Sequence, residues 1–156
     1  AYLITNKPVY KKAAMDSLDF LISKMFVNKN FKVISNQGWY QKGSDPKHFG
    51  EQPIDVSYTI QTLNAFYNAF KFPEYKHKMK TAFNWFLGKN HLNQIMYNPV
   101  SGGGYDGLEK ENVNLNQGAE STICYLTARL LMENFAQSQS KVIPLLKSRT
   151  WYAINS

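Results

Sequence analysis

The run Asn116-Gln117-Gly118-Ala119-Glu120-Ser121-Thr122-Ile123-Cys124-Tyr125-Leu126-Thr127-Ala128-Arg129-Leu130-Leu131 takes a polar, Asn-rich loop straight into a strongly apolar segment. The apolar spacing predicts a helix over 117–136, with Asn116 as a suitable N-cap. Glu120 falls in its first turn. Counting three and four residues onward places Ile123, Cys124, Thr127, Leu130 and Leu131 on the same side as that carboxylate. Glu120 is therefore expected to share a face with core residues. A charge in such a place costs free energy unless it is paired, solvated by a cavity, or used.

A second segment repeats the arrangement. Glu51-Gln52-Pro53-Ile54-Asp55 opens a helix predicted over 53–72. Its expected interior face carries Asp55, Tyr58, Thr59, Thr62, Leu63, Phe66 and Phe70. Asp55 again lies in the first turn, with Thr and apolar residues below it. Glu51, one turn earlier, is expected to cap the helix start.

Two more helices frame these. One is predicted over 8–28, with a stripe of Ala14, Met15, Leu18, Ile22, Met25 and Phe26 after an extended or frayed residues 1–6. Another is predicted over 73–90, with Gly88 as its stop. The short link at Lys71-Phe72 makes the second and third helices an antiparallel hairpin. Gln137-Ser138-Gln139-Ser140 reads as a break before a short apolar segment containing Pro144, and Trp151, Tyr152 and Ile154 then call for packing partners. Residues 30–50 and 91–116 are rich in turn formers. The first of these loops carries Trp39 and Tyr40, either as a lid on the core or as a binding platform. The second carries Gly102-Gly103-Gly104-Tyr105-Asp106, a tight loop presenting Tyr105 and Asp106. The expected fold is all-α, a single domain of antiparallel helical hairpins with the long loops gathered on one face.

Composition narrows the function. The 156 residues fit one domain with a sizeable core. The net charge of +7 comes from lysines scattered in ones and twos, without the concentrated patch that positions a protein on phosphates, so no nucleic-acid partner is expected. No cofactor is expected either. The triple glycine lacks the Gly-Lys-Ser/Thr ending of a phosphate loop. His48, His77 and His91 show no metal-ligand spacing. The single cysteine, Cys124, needs no oxidising compartment, and no run is long and apolar enough for a membrane span. No membrane partner is expected, and the expected location is the cytoplasm.

Four stretches occur in an order that resembles a known family: Glu51-Gln52-Pro53-Ile54-Asp55-Val56-Ser57, Phe83-Asn84-Trp85-Phe86-Leu87-Gly88-Lys89-Asn90, Gly103-Gly104-Tyr105-Asp106-Gly107-Leu108, and Asn116-Gln117-Gly118-Ala119-Glu120-Ser121-Thr122. Over about 36–134 the chain resembles the C-terminal α/α-toroid domain of bacterial group-1 glycosyltransferases, within the six-hairpin glycosidase-like superfamily. The resemblance implies helix N-termini and loops around a central cleft. It implies Asp55, Asp106 and Glu120 as cleft acids, with Trp39, Tyr40, Gln52, Tyr105, Asn116 and Gln117 beside them. Six hairpins of roughly 35–45 residues need more than about 200 residues, so this chain supplies about half a toroid. The expectation is a C-terminal piece of a longer protein, or a half-ring completed by a second chain.

Two carboxylates facing a cleft are the minimum for glycoside hydrolysis, one as acid and one as base or nucleophile. Both Asp55 and Glu120 are placed where the helix dipole favours ionisation, while burial would oppose it. First-turn acids also commonly bond backbone N–H groups and do nothing else. Three classes remain open: a saccharide-binding domain of a glycosyltransferase, a glycosidase or epimerase-like enzyme, and a structural interaction module.

Overall fold

A computed structural model describes residues 1–154 apart from positions 39, 42 and 46, with side chains described through residue 137. The chain is mostly helical, as expected, but carries two small antiparallel ladders that the all-α expectation omitted. Residues 2–5 form a short helix, α1 (Tyr2–Thr5), where a frayed end was expected. Helix α2 (Pro8–Met25) stops three residues early, because Phe26–Val27 (β1) turns back on Asn30–Phe31 (β2). Asn28 and Lys29 adopt φ values of 51° and 66°, the left-handed pair that a two-residue hairpin demands.

Helix α3 (Pro53–Phe70) and helix α4 (Pro73–Phe83) are joined by Lys71 and Phe72 alone, so α4 folds back on α3 as expected. Lys71 ends α3 in the left-handed conformation. Helix α4 is shorter than expected. From residue 84 the chain continues as successive tight turns, with Trp85, Phe86 and Leu87 N–H groups bonding three residues back. Gly88, at φ 93°, closes that run.

The loop from 84 to 118 contains a two-stranded ladder, β3 (Gly107–Leu108) with β4 (Val113–Asn114). It then enters α5 (Ala119–Ile154). The helix backbone continues through 137–154, so the expected break at the Gln-Ser run is absent. That run contains no Gly and does not itself end a helix. The side chains of Trp151, Tyr152 and Ile154 lie outside the described residues.

The core lies where α3, α4 and α5 meet. Val56, Ile60, Leu63, Met79, Trp85, Phe86, Tyr125 and Ala128 are buried there. This corrects the expected faces of two helices. On α3 the buried row is Val56, Ser57, Ile60 and Leu63, while Tyr58 is 60% exposed. On α5 it is Ser121, Cys124, Tyr125 and Ala128, while Ile123 and Leu130 are 63% and 59% exposed. In both helices the inward stripe is turned by about one residue from the sequence reading. Both stripes are wide enough to be read either way from periodicity alone. The consequence is that Asp55 and Glu120 keep solvent contact at the rim of the core rather than facing into it.

The two long loops meet. Glu51 and Leu108 exchange backbone hydrogen bonds of 2.9 Å in both directions, and Gln37 Nε2 donates to Glu109 at 3.1 Å. Phe49 sets its ring edge-on against His91 at 5.0 Å.

Candidate functional site

Helices α3 and α5 are direct neighbours, and their first turns carry Asp55 and Glu120. Neither acid makes an ion pair among the described residues. The two feel each other: surrounding protein atoms raise the pKa of Asp55, and the negative charge of Glu120 raises it further. Asp55 retains solvent contact, yet it stands in a concave surface, so crowding and exposure coexist at this carboxylate. Cys124 reports the same convergence from below. Burial pushes its thiol pKa up, Glu120 and Asp55 add to the rise, and a hydrogen bond with Ser57 of α3 opposes it.

The concavity beside Asp55 has a volume of about 330 Å³. Asp55 and Gln52 wall it from the start of α3. Ser35, Asn36 and Tyr40 wall it from the loop that follows β2. This loop is held by Asn36 N–H donating to the Gly50 carbonyl at 3.0 Å, and by Ser35 Oγ accepting the Gln37 N–H at 3.0 Å. Tyr40 leans on α2, with its ring 5.7 Å from Phe20 and Lys24 Nζ 5.4 Å from its centroid. Tyr40 is thus partly a packed residue and partly a wall of the hollow. Its neighbour Trp39 lies outside the described residues.

The remaining sequence candidates form a second group, around the start of α5. Asp106 Oδ1 accepts the Gly118 N–H at 2.8 Å, Asn116 Nδ2 donates to Oδ2, and Ser121 adds a further hydrogen bond. Desolvation would raise the Asp106 pKa, but these hydrogen bonds outweigh it, and the carboxyl is held below its ordinary value. Asn116 therefore does not cap the helix as expected. Asp106 serves the helix start, and Asn116 serves Asp106.

Ser101 Oγ donates to Gln117, and Gly104 N–H donates to Thr122 Oγ1 at 3.2 Å. A Cβ on Gly104 would stand 2.5 Å from the Ser121 carbonyl oxygen. The glycines thus let the loop lie flat on the first turn of α5, which fixes the start of that helix. Tyr105 is half-buried and packs on the core.

Glu51 has a role that sequence reasoning assigned differently. Its side chain does not cap α3. It is 2% exposed and accepts the Trp85 indole N–H at 2.6 Å. Burial raises its pKa, opposed by the Trp85 bond, by the charges of His91 and Lys32, and by the Val33 N–H.

Among the described residues no group of His, Cys, Asp and Glu is arranged to hold a metal ion, and no helix is long and apolar enough to cross a membrane. Comparison with models of protein families gives no match, and comparison with curated proteins gives none either.

Proposed function

We propose that this chain is a saccharide-binding part of an α/α toroid, the C-terminal portion of a bacterial glycosyltransferase. The observation that carries the reading is the electrostatic coupling of Asp55 and Glu120 at the starts of adjacent helices, beside a hollow walled by Gln52, Asn36, Ser35 and Tyr40. Carboxylates and side-chain amides accept and donate to several sugar hydroxyls at once, and an aromatic ring offers a stacking face. Asp106, Asn116 and Gln117 act from behind by fixing the start of α5.

An incomplete ring also fits the surface of α5. Ile123, Leu126 and Leu130 lie three or four residues apart and are exposed. Bare apolar rows of this sort belong against another helix. In this reading the cover is a further part of the same protein or a second chain.

A second reading, glycoside hydrolysis, is favoured by one observation: burial and the neighbouring Glu120 both raise the pKa of Asp55, the direction a general acid requires. Titration of the chain with an oligosaccharide panel, alongside thermal melting of Asp55→Asn and Glu120→Gln, tests both. Saccharide binding lost in both variants with melting unchanged supports the site. Reducing sugar released by the wild type alone favours hydrolysis. Melting collapse in both variants, with a wild type that binds no sugar, makes these acids structural.

A further inference from the structure

The polar hollow does not end at Asp55. Asp55 and Ile34 also wall a second cavity of about 210 Å³ between α2 and α3. Here the chemistry changes. Leu18, Leu21, Ile22 and Met25 line it from α2, and Tyr58, Thr59 and Thr62 line it from α3. Leu18 and Met25 are buried, whereas Leu21 is 43% exposed and Tyr58 more so, and the groove opens at these two. A polar chamber and an apolar chamber thus share one carboxylate and one isoleucine.

Size decides what the apolar chamber takes. A cavity of about 150 Å³ lined by aliphatic residues accommodates benzene. The α2–α3 cavity is somewhat larger, which suits an aromatic ring or a short alkyl chain and is far too small for a helix. Because both chambers meet at Asp55, one ligand spanning them must be polar at one end and apolar at the other. Resting on the saccharide reading above, we infer that the ligand is an amphiphilic glycoside, with its sugar beside Asn36, Gln52 and Asp55 and its apolar aglycone in the groove between Leu21 and Tyr58.

The test is calorimetric titration of the full chain with methyl, butyl and hexyl β-D-glucosides and the matching mannosides, all below their micelle concentrations, with hexanol as the sugar-free control. Affinity for one sugar series is expected to rise about two- to fourfold per added methylene until the cavity is filled. Leu21→Asn is expected to flatten that rise while leaving the methyl glycoside unchanged. Tyr58→Ser, at a more exposed position, provides the same readout if Leu21→Asn melts early.

Binding that is independent of chain length overturns the amphiphile inference and leaves the saccharide reading standing. Hexanol binding as tightly as the hexyl glycosides overturns both, as does the absence of binding by every glycoside. A dimer in sedimentation that Leu21→Asn dissolves, with no chain-length effect, would make the groove a contact between copies and overturn the inference.

Discussion

Trp85 donates its indole N–H to the Glu51 carboxylate across 2.6 Å, inside the core and beneath the loop that leads to Asp55. That bond joins the turns after α4 to the strand-like residues before α3. Its two partners are 34 positions apart in sequence. Removing the acceptor with Glu51→Ala leaves a buried donor unsatisfied and a void beside it. The expected cost is about 3 kcal/mol, read by urea unfolding with tryptophan fluorescence. Glu51→Gln keeps an acceptor for Trp85 and costs less.

The same carboxyl gives a pH dependence. Burial raises its pKa in the folded chain above the ordinary 4.5. The unfolded state gives up this proton first, so the stabilising contribution is present below pH 4.5 and is lost as pH rises through the folded pKa. Relative to Glu51→Gln, the wild type is therefore expected to lose stability with rising pH over the range just above 4.5, measured as a difference in melting temperature.

Asp106 has the opposite sign. Its hydrogen bonds at the start of α5 lower its pKa below 3.8, so its contribution is present above that pH and disappears as pH falls through the folded value. Asp106→Ala is expected to cost about 1–2 kcal/mol at neutral pH. The deficit relative to wild type should shrink in acid, and urea unfolding at pH 7 and pH 3 checks it.

Gly104 lies against the first turn of α5 with no room for a side chain. Gly104→Ala forces the loop away from the Ser121 carbonyl, at an expected cost of about 2 kcal/mol. Hydrogen exchange should speed up at the amides of residues 119–122, while those of α3 are unaffected.

Asp55→Asn removes one of two neighbouring negative charges. Crowding and Glu120 raise the Asp55 pKa above 3.8, so the ionised form is disfavoured by folding. The variant is expected to melt no lower than wild type at pH 7. Any advantage should vanish in acid, where wild-type Asp55 carries its proton. Melting curves from pH 3 to 8 check the sign.

The helices were legible because their signals are local. Pro8, Pro53 and Pro73 stand at the first helical positions, and the short Lys71-Phe72 link announces a hairpin. The first-turn places of Asp55 and Glu120 followed from reading the same device twice. The inward faces did not follow, since Tyr58, Ile123 and Leu130 are apolar yet exposed, and periodicity counts them with the core. The Glu51–Leu108 bridge depends on a contact between two loops far apart in sequence, which no window on either loop contains, whereas the β3–β4 ladder is local but its two-residue strands are too short to show a period. For the same reason Glu51 reads as a helix cap in sequence and is a buried acceptor in the fold.

The central claim is that the hollow between the start of α3 and the loop after β2 holds a sugar. Its most direct test is a ¹H–¹⁵N NMR titration of the full chain with the glucosides and mannosides. The account predicts saturable shifts clustered at Asn36, Tyr40, Gln52, Asp55 and Glu120, absent in the Asp55→Asn, Glu120→Gln double variant at an unchanged melting temperature. Shifts confined to other parts of the chain, or none with any sugar, would contradict it.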